Sequence, residues 1–140
     1  MTDAIRRTLA ALERRDPAAR ADLLRALAET AAGHWKPANP ADPWDSQRVE
    51  LRLHEVFAEG ADAAEATRNW IHAARRMAER ARTRDARVEA ASALIAHPGP
   101  VEIGALLAAC ETVLHQPSLA DPDTVTRARA LRDHLGAHAA

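Results

Sequence analysis

Seven histidines, one cysteine and twenty carboxylates are the groups in this 140-residue chain able to do metal or acid–base chemistry, and their spacing decides how much of it is available. Glu50 and His54, Glu111 and His115, and His134 and His138 each stand four apart, about one helical turn. A di-iron bundle needs Glu-x-x-His, three apart, with further glutamates from other helices. Neither that pattern, nor HExxH, nor paired Cys-x-x-Cys occurs, so no metal and no other cofactor is expected. Gly136 interrupts the His134/His138 pair near the chain end. His34 and His97 read as polar residues of final helical turns, where the helix dipole favours a proton. Cys110 lies on the apolar side of the most apolar segment; burial there raises a thiol's pKa and hides it from substrate, so its expected role is structural. Five isolated glycines leave no phosphate-cradling loop. No catalytic residue emerges, and a non-enzymatic protein is the expectation, although groups gathered from distant helices leave no spacing to read.

Two surface features remain. The stretch HWKPANPADPWD, residues 34–45, puts prolines at 37, 40 and 43, the period of polyproline II, between Trp35 and Trp44. It reads either as a docking strap anchored by two tryptophans or as a connector whose indoles lie against the fold. Aromatics are only 3% of the chain, and residues so rare are worth burying, which favours the connector. As a docking strap it supplies Trp35, Pro37, Pro40 and Trp44 as candidate partner-binding residues.

The second feature is an arginine face. On a helical projection Arg68, Arg75 and Arg82 share one line and Arg76, Arg80 and Arg87 an adjacent one, with Arg84 at its edge. Phosphates or an acidic protein would use such an arc. Acids interrupt it: Glu65 precedes Arg68 by three, Glu79 lies within four of Arg75 and Arg76, and Asp85 lies four before Glu89. No aromatic interleaves the arginines for base stacking. A solvated, pair-laced surface is the favoured reading, and an acidic protein is preferred to nucleic acid as a partner.

The elements that carry these residues follow from punctuation and period. No glycine or proline falls between Gly60 and Pro98, and Trp70, Ala74, Met77, Ala81, Arg84, Val88, Ala91 and Ile95 recur at alternating spacings of four and three, the seam of a helix. The run 61–97 forms either one helix of roughly 50 Å, long for a domain of this size, or two joined near Thr83-Arg84-Asp85. Asp16-Pro17, Asp42-Pro43 and Asp121-Pro122 each read as a helix start, and Gly99-Pro100 as a weaker one. Stops are expected at Gly33, Gly60, His97-Pro98-Gly99, Gln116-Pro117 and Gly136. Between them Ile5, Leu9 and Leu12, then Leu23, Leu24, Leu27 and Ala31, then Val49, Leu53, Val56 and Phe57 keep helical spacing, as do Val125, Ala128, Leu131 and Leu135. The segment 101–115 has apolar residues over a broad arc and only Glu102 and Glu111 as carboxylates, so it is expected at the centre.

Read as a helix pair, the window containing Trp70, Ala73, Ala74, Met77, Ala86, Ala90, Ala93 and Pro98 resembles one tetratricopeptide repeat. Lys36 and Gly104 stand where neighbouring repeats would place their tryptophan, and solenoids need about three units, so no array is expected.

These readings give an all-α bundle of six or seven amphipathic helices, a single domain over 1–136 and a frayed tail over 137–140. Its fill is alanine and leucine, since tyrosine is absent and phenylalanine occurs once. A net charge of −1 argues against coating nucleic acid or a membrane through bulk charge. No long apolar span and no secretory signal core occur, and a lone cysteine fits a reducing compartment, so the expectation is cytoplasmic with no membrane partner. The expected function is a protein–protein interaction module, an accessory, adaptor or regulatory subunit, with a homodimer as one arrangement. The alternative is a nucleic-acid-binding regulator using the arginine face of 61–97.

Overall fold

A computed structural model describes residues 1–139, with the side chains of His138 and Ala139 outside the description. The order is α1 (Thr2–Glu13), α2 (Pro17–Thr30), β1 (His34–Lys36), β2 (Val49–Leu53), β3 (Val56–Gly60), α3 (Ala63–Ala96), α4 (Ile103–His115), a 3₁₀ turn (Pro117–Leu119) and α5 (Pro122–Ala139). The fold is mostly helical with a small antiparallel sheet, β1-β2-β3, rather than all-α with six or seven helices.

The sheet replaces the helix expected over Val49–Phe57. Val49, Leu53 and Val56 fit a period of 3.6, but they fit alternation as well once a two-residue turn intervenes. The deciding residues are Leu51, fully buried, and Phe57, 54% exposed, which obey alternation and violate the helix. Val49, Leu51 and Leu53 face the core, as do Val56, Ala58 and Gly60 after the turn at His54-Glu55.

The Asp-Pro pairs differ in the structure they introduce. Asp16-Pro17 opens α2 and Asp121-Pro122 opens α5, where Asp121 Oδ1 accepts the Thr124 amide at 2.9 Å. Bonds from Thr124, side chain first and then backbone, hold the Asp121 carboxyl below its ordinary pKa. Asp42-Pro43 opens no helix; it lies in the β1–β2 connection, which lacks an apolar face to continue. Gly99-Pro100 also precedes no helix directly, since α4 begins at Ile103. Asp62, with no proline after it, starts α3: its Oδ1 accepts the Glu65 amide at 2.8 Å, and Glu65 Oε2 reaches back to the Ala61 amide at 2.5 Å, a reciprocal cap.

α3 is one unbroken helix, and with no turn near Thr83-Arg84-Asp85 the likeness to a tetratricopeptide repeat goes no further. Gly136 ends nothing, because α5 continues to Ala139. Of the expected frayed tail, Ala140 lies outside the described residues, and so does the side chain of His138.

The chain divides into two compact units, Met1–Arg80 and Ala81–Ala140. In the first, Ile5 and Leu12 of α1, Leu24 and Ala28 of α2, the inward residues of β2 and β3, and Trp70 and Ala74 of α3 make the core. Trp70 is fully buried and its Nε1 donates to the Leu53 carbonyl at 3.4 Å. Two glycines permit close approach. A Cβ at Gly33 would lie 2.6 Å from the Arg52 carbonyl oxygen, and one at Gly60 would lie 2.3 Å from the Ala66 amide nitrogen.

In the second unit Ala91, Ile95, Leu106, Ala109, Cys110, Val113 and Ala128 form the core. α4 is buried along one face only. Val101 and Ile103 are 40% and 58% exposed, so the segment is not enclosed on all sides. Its broad apolar arc includes Gly104, Ala105 and Ala108, which cover little area and stay exposed. Among the described residues no helix is long and apolar enough to cross a membrane.

Candidate partner-binding site

β1 and β2 are neighbours in the sheet, yet twelve residues join them, and residues 37–48 must satisfy their own polar groups as they double back. They do so through side chains. Asp45 pairs with Lys36 Nζ, accepts Asn39 Nδ2 at 3.3 Å and accepts the Ser46 amide at 2.7 Å. Gln47 Nε2 lies within hydrogen-bond reach of three backbone carbonyls, those of Asn39 (3.0 Å), Asp42 (2.8 Å) and Asp45 (3.3 Å). The Asn39 amide donates to the Ser46 carbonyl at 2.9 Å, which closes the loop at its base. Lys36, then Ser46 and Asn39, pull the Asp45 carboxyl down to about 2, and the same contact raises Lys36.

The product is an exposed indole on an internally bonded support. Trp44 is 95% exposed, and its amide donates to Asp42 Oδ1 at 2.9 Å. Trp35, on β1, is half-buried against the first unit's core. The two tryptophans that sequence grouped together therefore part company: one packs as a connector residue should, and the other does not. Pro37 and Pro40 are exposed, but the prolines do not line an extended polyproline edge, because the chain turns at Pro40-Ala41 and again at Pro43-Trp44. Asn39, Asp42 and Asp45 are also three apart, and it is this spacing, not that of the prolines, that shapes the loop. Their carbonyls converge on Gln47.

Of the arginines, Arg68, Arg75, Arg76 and Arg80 belong to the first unit and Arg82 and Arg87 to the second, and all six are exposed. The local pairing expected for them is partly redirected. Glu65 is spent on the cap of α3, and Arg75 reaches Glu13 of α1 at 3.2 Å instead of a neighbour on its own helix. Arg84, placed on the buried seam by its spacing, is exposed and pairs with Asp85 at 3.3 Å. Among the described residues, Arg68, Arg76, Arg80 and Arg87 form no ion pair.

The groups with catalytic potential stay apart. Cys110 is fully buried, and burial raises its pKa. His72 and His115 are exposed, the latter bonded through Nδ1 to the Glu111 carbonyl oxygen at 2.8 Å. Glu50 and His54, expected one helical turn apart, lie on a strand and its following turn. Among the described residues no three His, Cys, Asp or Glu side chains gather as a metal site would require. Compared with known proteins, the chain matches no protein-family model, no curated protein and no solved structure.

Proposed function

We propose that the chain is a non-enzymatic protein-binding module, an adaptor or accessory subunit, that docks a partner through Trp44. What supports the reading is a single observation: one of three tryptophans is held 95% exposed by a loop whose Asp45 and Gln47 bonds fix its shape. Exposing an indole forgoes a burial gain of about 2–3 kcal/mol. Tryptophan is enriched among interface hot spots, and a loop ordered before contact has less entropy to lose on binding. Pro40 and Pro43 precede Trp44 in the loop as rigid, donor-free residues. Arg68, Arg76 and Arg80, exposed on the first unit's part of α3, would add a salt-sensitive attraction to an acidic partner. A single buried thiol suits a reducing compartment, and the cytoplasm is where we place the interaction.

Trp44→Ala and Trp35→Ala separate docking from packing. Trp44→Ala should leave stability within about 0.5 kcal/mol, as exposed substitutions do. Trp35→Ala should cost about 2 kcal/mol, less than a fully buried tryptophan. In affinity capture from the native cell read by mass spectrometry, proteins retained by wild type should be lost with Trp44→Ala. Retention of the same set by that variant rejects the proposal. Capture of nucleic acid, with mobility shifts that fall steeply as salt rises, would favour the arginine face instead.

A further inference from the structure

We propose that the recess between the end of α2 and the β2–β3 turn is a binding site for a small oxyanion, a phosphate or carboxylate group, gripped by Arg52 beside His54. The recess has a volume of about 290 Å³ and is lined by Ala32, Gly33, Arg52, Leu53, His54 and Glu55. That is near the floor of the range for small-molecule pockets, roughly 300–1,000 Å³, and suits a compact ligand.

Two independent features single it out. The first is backbone strain. Among the described residues, those other than glycine with positive φ are Ala32 (54°), His54 (51°) and Glu55 (64°), and all three line this one recess. Each such residue costs roughly 1–2 kcal/mol that a glycine would not. A tight hairpin turn ordinarily takes Asn-Gly, whereas here it presents an imidazole and a carboxylate. Non-glycine residues held in this region cluster at ligand clamps, where the strained position aims a side chain. Here it sets His54 Nε2 2.9 Å from Thr8 Oγ1 of α1, which fixes the ring.

The second is charge. Arg52 is exposed and forms no ion pair among the described residues, so its forked donors are available. Its sheet neighbour across β1 is His34. Burial lowers the pKa of His54, and the Met1 ammonium and Arg7 lower it further, so the ring already senses two cations. Glu55 is the one carboxylate of the lining. The lining itself carries Arg52 against Glu55, with His54 neutral at pH 7, and the Met1 ammonium and Arg7 add a positive field at the imidazole. Within that field the Arg52 guanidinium matches a planar or tetrahedral oxyanion with two parallel bonds.

The test is a backbone-amide NMR titration of the whole chain with inorganic phosphate, with citrate as the carboxylate arm and sodium chloride at matched ionic strength as control. Saturable shifts at Ala32, Gly33 and residues 53–55, with a Kd of about 1 mM or tighter for at least one arm, are expected. The arm that saturates at lower concentration identifies the group. Arg52→Gln should weaken binding at least tenfold without lowering Tm. Glu55→Gln removes the opposing charge and should tighten it about threefold, which provides a second reading should Arg52→Gln fold poorly. Trp44→Ala should leave the titration unchanged, so this site and the docking loop fail separately. Shifts that rise linearly and equally in chloride, or undiminished binding by a folded Arg52→Gln variant, would overturn the assignment.

Discussion

The two connections of the sheet solve the same problem in opposite ways. Between β1 and β2 the chain spends twelve residues and stabilises them with side-chain bonds from Asp45 and Gln47. Between β2 and β3 it spends two, His54 and Glu55, and accepts a strained backbone. A long connection held by charge is free to present a residue, and it lifts Trp44 into solvent. A short one with a strained backbone turns one side chain inward, bringing His54 against Thr8, and leaves Glu55 exposed. Position in the sequence thus matters less than what holds each turn, and the two kinds of support respond to different perturbations.

The largest effect should come from the backbone contact behind the short turn. Gly33→Ala drives a Cβ to 2.6 Å from the Arg52 carbonyl oxygen and 2.8 Å from the Ala28 Cα, backbone atoms with nowhere to retreat. A loss of about 3 kcal/mol in urea denaturation is expected. A change under about 1 kcal/mol would show that α2 and β2 are not so closely apposed.

Relief of strain should be smaller and opposite in sign. Glu55→Gly gives the turn the residue its φ of 64° prefers and should raise stability by about 1 kcal/mol, after the added freedom of the unfolded chain is counted. Destabilisation would mean that Glu55 makes a compensating contribution to the hairpin.

A pH response should be the smallest of these effects. Because the pKa of His54 is lowered by folding, the unfolded chain takes up this proton first once pH drops below the ordinary 6.5. The contribution of a neutral His54 is complete above that value and declines as pH falls through the window beneath it. Denaturation midpoints between about pH 7 and 5 should therefore decline less steeply in His54→Gln than in wild type. Identical slopes would remove His54 as their source.

Sequence revealed the helices whose pattern is enforced along their length. The seam of α3 reads correctly at Trp70, Ala74, Ala81, Val88, Ala91 and Ile95, all buried, because a long helix averages over single exceptions such as Arg84. It concealed the sheet, since strands of five residues offer too few positions to separate one period from another, and the turn that resets the alternation lacks a glycine. The candidate site was half legible. Its tryptophans and prolines stood out by rarity, but whether an indole is buried depends on where the chain turns. That is decided by Gln47 and Asp45, ordinary residues whose bonds to carbonyls and amides leave no compositional mark.

The central claim is that Trp44 is held out from the fold, not merely left out, and nitrogen-15 relaxation of its backbone amide tests this most directly. At neutral pH its order parameter should approach that of β2, about 0.85. Asp45 is held at about 2, so its bonds should persist well below the ordinary carboxylate range and release the loop only as pH falls from 3.8 towards that value. An order parameter below about 0.6 at neutral pH would contradict the account, because a freely moving indole is no preformed anchor.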